Sequence, residues 1–289
     1  MKYVFILNSF GKRDITDIYK KIEVVSQALN IDYIIEVNSN NLSTDDILKK
    51  YKSTRNIIVA VGGDGMINKV LNGIVGTNNM LSYIPYGTGN DLNKTVKETL
   101  NDGRNCVDAV KINDKYFINI ACFGIDADIA NDDAFIHNRF IPRELRYHVG
   151  VLYHFLKYKA RTMEIITDNQ FIKDNFTTIA ICNARYYGGG YKISPNSLMQ
   201  DGLVDVYLVK ELNKLDMIKT ILSMKDGKHE ENSNIKIIRT DNLTISSDTV
   251  IESNIDGEIL ISKEFDIEVY PKEIEIFNNQ DLIEKVLRI

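Results

Sequence analysis

The chain contains no apolar run that approaches the ~20 residues needed for a membrane-spanning helix. Its start, MKYVFILNSFGK, places one lysine before about six apolar residues, too few for the apolar core of a secretory signal, so a cytoplasmic protein is expected. Cysteine is scarce: Cys106, Cys122 and Cys182 lie far apart and form no CxxC. That excludes a disulfide framework and a thiolate metal site, and each cysteine reads as a buried, reduced thiol beside apolar sequence. The four histidines, His137, His148, His154 and His229, are scattered without zinc-ligand spacing and are expected at surface or helix-face positions. Basic residues do not dominate. There are 35 Lys and Arg against 40 Asp and Glu, a net charge of -5, which argues against general nucleic-acid affinity. Internal repeats and low-complexity linkers are also missing.

What is present is a globular composition, 44% hydrophobic and 26% charged over 289 residues, enough for two modest domains. The first part alternates between two periods. YVFIL reads as a buried strand, and Ile15, Ile18, Ile22, Val25 and Leu29 then mark one helix face. IDYIIEV, RNIIVAV and LSYIP are further strands. Between them lie STDDILKKYK, opened by Ser43 three residues before Asp46, and a helix carrying Met66, Ile67, Val70, Leu71 and Ile74. Apolar strands alternating with amphipathic helices imply a parallel sheet covered on both faces, with ligands at the carboxyl ends of its strands. From about Val107 the rhythm becomes antiparallel β, with an Asn-Asp turn in VDAVKINDKYFINIACFGI and a hairpin signal at Asp256-Gly257. The expected architecture is an α/β domain over residues 1–106 plus about 278–289, where DLIEKVLRI could pack back, and a β-sandwich domain over 107–277.

Two glycine turns stand out at successive strand ends. VGGDG, Val61 to Gly65, is neither a P-loop, because no Gly-Lys-Ser/Thr follows, nor G-x-G-x-x-G. Alone it could be a tight strand-to-helix turn, or a turn where backbone approaches phosphate at a helix start. The second turn, IPYGTGNDL, adds Thr88 and Asn90, and the pair points to nucleotide binding. Asp91 reads equally as a helix cap or as a catalytic group.

The ordered blocks VGGDGMINKVLNGI, IPYGTGNDL, KYFINIACFGIDADI, ICNARYYGGGYKISPNSLMQDGLVDVYLV and NIDGEIL span nearly the whole chain. Together they resemble the bacterial soluble lipid kinases of the diacylglycerol kinase catalytic-domain family, relatives of sphingosine and ceramide kinases. The resemblance implies an ATP- and Mg²⁺-dependent two-domain kinase, with ATP in a cleft and diacylglycerol as the leading acceptor. Gly62, Gly63, Asp64 and Gly65 would lie along the ATP phosphates, with Met66 where the family usually has threonine and Asn68 nearby. Gly87 and Thr88 match the second nucleotide loop. Asn8 matches an asparagine after the first strand, although the usual Pro-x-Ser-Gly is here Ser9-Phe10-Gly11. Asp201 matches a Mg²⁺-linked position, with backbone carbonyls from Leu198 and Leu203. Asp256 and Glu258 match the general-base region, Glu258 being preferred.

Asp126 and Asp128 alternate along GIDADI and could border the acceptor site or face solvent. The stretch 139–161 carries Arg139, Arg143, Arg146, Lys157, Lys159 and Arg161 against Glu144, with interleaved tyrosines. It reads as a solvated helix face or as a peripheral contact with anionic membrane, where the enzyme would meet its lipid. An exposed sandwich edge could pair with a second copy. Two other functions compete: an NAD kinase-like enzyme, since NAD kinases share Gly-Gly-Asp-Gly, and a non-catalytic nucleotide- or lipid-binding relative, a reading that Met66 favours.

Overall fold

The computed structural model describes residues 1–9, 14–39, 42–87, 89–125 and 158–288. The chain divides into two compact units, residues 1–109 with 270–289, and residues 110–269.

The first unit opens with β1 (Tyr3–Asn8), α1 (Thr16–Ala28), β2 (Tyr33–Asn38) and α2 (Thr44–Lys49). It continues with β3 (Ile57–Gly62), α3 (Asp64–Ile74), β4 (Met80–Pro85) and α4 (Asp91–Thr99). The strands are parallel in the order β2-β1-β3-β4, so the winding direction reverses between β1 and β3. That reversal opens a crevice at the strands' carboxyl ends. Leu7 lies opposite Val61, and Gly62 opposite Pro85, which brings Asn8 and both glycine turns to the same sheet edge. Helices cover the sheet, hence the unbroken apolar runs. Phe5, Val59 and Ile84 pack against Ile18, Ile22 and Val25 of α1. α2 starts where its spacing predicts, with the Ser43 hydroxyl accepting from the Asp46 amide at 3.1 Å.

β5 (Gly103–Ile112) runs from the first unit into the second and turns at Asn113-Asp114 into β6 (Lys115–Phe117). β7 (Ile120–Gly124), β8 (Arg161–Thr167) and β9 (Gln170–Cys182) follow, then a small ribbon of β10 (Tyr186–Tyr187) and β11 (Tyr191–Lys192). β12 (Val204–Lys210), α5 (Lys214–Met224), β13 (Ile235–Thr240), β14 (Asn242–Ile255) and β15 (Glu258–Asn278) complete the unit. Neighbours run antiparallel in the order β13-β12-β9-β7-β14-β15, with β8 paired to both β9 and β14. This is the β-sandwich. Its core holds Phe117, Phe123, Phe176 and Phe265, with Phe123 and Phe265 edge-on at 4.9 Å. The β14–β15 hairpin turns on two residues, Asp256 at φ 49° and Gly257 at φ 91°, as Asp-Gly at such a turn predicts. β15 then carries the chain back to the first unit, where Ile276 runs parallel beside Leu81 of β4. The closing helix, α6 (Gln280–Arg288), buries Leu282 and Val286 in the α1 cluster.

Two sequence expectations fail here. Cys106 is exposed, unlike Cys122 and Cys182, because strand alternation turns it outward between buried Asn105 and Val107. His229 is buried rather than superficial, its Nε2 2.8 Å from the Ile193 carbonyl and its ring tilted on Tyr207. Among the described residues, no helix is long and apolar enough to cross a membrane.

Candidate active site

The glycine turns of the first unit meet backbone to backbone. A Cβ built on Gly87 would stand 2.3 Å from the Gly63 Cα and 2.7 Å from its nitrogen. Only glycine permits that approach. The Tyr86 amide donates to the Gly62 carbonyl at 3.0 Å, and Asn90 closes its own turn by exchanging two 3.0 Å bonds with the Gly87 backbone.

Asp64 ties the turns a third time. Its two carboxylate oxygens accept from the amides of Asp91 at 3.1 Å and Leu92 at 3.2 Å, the first two residues of α4. Asn90, which precedes α4 in the left-handed region, provides no side-chain cap, so Asp64 caps that helix from a distance. Burial pushes the Asp64 carboxyl above its ordinary value, against the pull of the two amides. Asp91 is the first residue of α4, and its carboxylate pairs with Lys94 at 2.9 Å. α3 is different. Gly63 precedes it with no side chain to cap the first-turn amides of Asp64 and Gly65. Of the two helix starts, α4 already holds an internal anion, whereas α3 presents donors and the positive end of its dipole.

Met66 is buried at the start of α3, and its Cβ would stand 2.8 Å from a Cβ on Gly62, so it packs over the first glycine. Asn68 is also buried, and its carbonyl and carboxamide oxygens both accept from Asn72 at 3.0 Å. Asn8 is exposed at the end of β1, and Ser9 beside it donates to Asn38 of β2. Thr88, Phe10, Gly11, Asp126, Asp128 and residues 139–157 lie outside the described residues.

In the second unit, three of the sequence blocks converge on Asp256. Its carboxylate, in a residue only 3% exposed, accepts from the amides of Ile118 at 3.0 Å, Asn119 at 3.3 Å and Ile120 at 2.9 Å. The Asn183 carboxamide donates to the Ile118 carbonyl at 2.8 Å. The Tyr187 hydroxyl and the Gly257 amide both donate to Asn254, at 3.2 and 3.1 Å. Asn119 Oδ1 is buried with no hydrogen-bond partner among the described residues, an acceptor that a ligand donor or an ordered water would satisfy. Glu258, two residues beyond Asp256, is half-exposed. Asn119, Asn183, Asn254 and Tyr187 are members of this cluster that pattern reading did not single out. Their only sequence signal is their presence in the quoted blocks.

Asp201 does not stand ready for a cation. One oxygen accepts from the Leu203 amide at 3.1 Å and the other pairs with the Arg239 guanidinium, whose Nε reaches Asp205 at 3.1 Å. Among the described residues, no group of three His, Cys, Asp or Glu is placed to hold a metal ion. The Leu198, Asp201 and Leu203 set offers one carboxylate, and that carboxylate is paired with the guanidinium that Asp205 also shares.

The first unit is thus a parallel α/β sheet whose two glycine turns meet beside an uncapped helix start, and the second is an antiparallel sandwich with buried polar groups around Asp256. Residues 2–118 match the diacylglycerol kinase catalytic domain, and residues 119–278 match the YegS C-terminal NAD kinase beta sandwich-like domain. The chain belongs to the diacylglycerol kinase catalytic-domain, YegS-like family of lipid kinases. It is 26% identical to a diacylglycerol kinase of Bacillus subtilis over 222 residues, covering 70% of this chain and 71% of that one. It is likewise 26% identical to a diacylglycerol kinase of Staphylococcus haemolyticus over 266 residues, covering 86% and 77%. In fold it is similar to the crystal structure of a diacylglycerol kinase from Bacillus anthracis, with a TM-score of 0.69, 20% identity and 97% of each chain covered. Membership of a kinase family implies ATP as phosphoryl donor.

Proposed function

We propose that the chain transfers the γ-phosphoryl group of ATP to the hydroxyl of a lipid alcohol, with diacylglycerol as the leading acceptor and phosphatidic acid as product. The observation that carries this reading is the apposition of Gly63 and Gly87 beside the uncapped start of α3. It suits a polyphosphate, whose oxygens need backbone donors at close range. Phosphoryl transfer depends on positioning and charge neutralisation more than on covalent help. The lipid oxygen attacks the γ-phosphorus, the bond to the β-phosphate oxygen breaks, ADP leaves, and the hydroxyl proton passes to a carboxylate. We assign that carboxylate to Glu258, which is half-exposed, because Asp256 is buried and engaged by three amides. Magnesium is assigned to the nucleotide, since Mg²⁺ keeps several waters and commonly arrives on substrate phosphates. The names of the Bacillus and Staphylococcus relatives favour diacylglycerol over other lipid alcohols. An enzyme acting on such a lipid would work at the cytoplasmic membrane surface.

The test offers labelled ATP together with diacylglycerol, a total lipid extract and NAD. Label in phosphatidic acid supports the reading. Label in NADP alone would instead make the protein an NAD kinase-like enzyme. ATP binding without transfer to any acceptor would make it a non-catalytic relative.

A further inference from the structure

One helix of the second unit turns an apolar face to solvent. α5 buries Met217 and Thr220, and Ile221 and Met224 pack partly against the sandwich. Its opposite side carries Leu215, Ile218 and Leu222, which are 71%, 44% and 61% exposed. Their spacing, i, i+3 and i+7, aligns them in one stripe. At 3.6 residues per turn, Lys214 and Lys225 fall along one border of that stripe and Lys219 along the other, all three exposed. The helix's single acid, Asp216, lies off this arc, where it is held by the Asn213 carboxamide at 2.7 Å and approached by Lys219 at 3.6 Å. The outward arc carries three aliphatic side chains and three ammonium groups, with the exposed carboxylate of Asp226 following Lys225 past the helix end, in a chain whose net charge is -5.

A surface helix ordinarily shows polar groups on its outer face, and large aliphatics left in water there are unfavourable. The core of a protein interface usually draws on aromatic or arginine anchors and directional hydrogen bonds, and this arc has neither. Aliphatics bordered by lysines fit a bilayer instead. The methyl groups enter the acyl boundary while the ammonium groups meet lipid phosphates. We propose that the outward face of α5 docks the protein on an anionic lipid bilayer. This rests on the lipid-kinase reading for its purpose, since the acceptor of such an enzyme is dissolved in the membrane. Its residues lie outside the basic stretch 139–161 in sequence, and Tyr158 of that stretch packs in the same cluster as Met217 and Ile221.

The test is flotation of the full chain with vesicles of phosphatidylcholine alone and of equal parts phosphatidylcholine and phosphatidylglycerol. Wild-type protein should float with the mixed vesicles. A Leu215→Ser, Ile218→Ser, Leu222→Ser variant and a Lys214→Glu, Lys219→Glu, Lys225→Glu variant should each lose about tenfold or more in partitioning. Both should melt like wild type, because the altered side chains are exposed. Wild-type partitioning by both folded variants overturns the proposal. So does failure of the wild type to float, or loss of flotation only on changing Arg143 and Arg146 to Glu. A serine variant that loses self-association in sedimentation yet still floats would make the face a contact between copies and also overturn it. Phosphoryl transfer to a short-chain, water-dispersed diacylglycerol, measured in parallel, should stay at the wild-type level in both variants. If no form of the protein phosphorylates a lipid, the functional reading fails while flotation still decides the docking.

Discussion

Replacing Gly87 with alanine introduces one methyl group where the two turns meet. The new Cβ would stand 2.3 Å from the Gly63 Cα, 2.7 Å from the Gly63 nitrogen and 2.9 Å from Asn90 Oδ1. Non-bonded carbons rest at about 3.5–4.0 Å, so the turns must part by more than about 1 Å. The two nearest obstacles are Gly63 backbone atoms, so movement of the Asn90 side chain alone would not relieve the overlap. Overpacking of this kind costs about 1–3 kcal/mol of stability. A displacement near 1 Å in a site that positions reactants lowers rate by about 10²-fold. Gly89→Ala is the matched control, because its Cβ would meet side-chain carboxylate oxygens and no backbone, Asp64 at 3.3 Å and Asp91 at 3.7 Å. ATP affinity by titration calorimetry, with thermal melts on the same samples, reads both effects. Gly87→Ala should bind ATP at least about tenfold more weakly and melt lower, whereas Gly89→Ala should stay near wild type. A folded Gly87→Ala protein with wild-type ATP affinity would refute the idea that the apposed turns form the nucleotide cradle.

Three further outcomes are expected. Asp256→Ala strands three buried amides and should cost roughly 3 kcal/mol in denaturant unfolding, a loss that a solvent-facing carboxylate would not cause. Met66→Thr restores the hydroxyl usual in the family and should tighten ATP binding by roughly 0.5–1.5 kcal/mol while lowering the melting temperature, since Met66 is buried; weaker binding would contradict it. Burial holds His229 below its ordinary value of 6.5, so the folded chain keeps it neutral while the unfolded chain protonates first. Stability from this group is complete above pH 6.5 and is lost as pH falls from there toward the folded value, and melts of His229→Gln should lack that part of the acid-side slope.

Much of the first unit is legible in residue order, because a parallel sheet with covering helices imprints two separate periods on the chain. The steps from Ile15 to Leu29, the Ser43 cap and the glycine turns each follow from local rules. The role of Asp64 is not local. Its partners are 27 and 28 residues away, and nothing near VGGDG announces that it caps α4. Asp256 is a similar case: Asp-Gly correctly predicts the hairpin, but its three amide donors come from 136 to 138 residues earlier. Burial escapes pattern reading where alternation is short, as at exposed Cys106, or where a single turn of 3-10 helix folds inward, as at His229. The ion pair of Asp201 with Arg239 couples two strand regions that carry no shared motif.

Phosphoryl transfer from ATP to a lipid hydroxyl, with Glu258 taking the proton, stands at the core of the proposed function. Thin-layer separation of products from γ-labelled ATP and diacylglycerol, run with wild type and Glu258→Gln, tests it most directly. Labelled phosphatidic acid is expected with wild type, and a loss of about 10²–10⁴-fold with the variant, at unchanged ATP affinity and melting temperature. Equal label in both, or none from a wild-type protein that binds ATP, would contradict it.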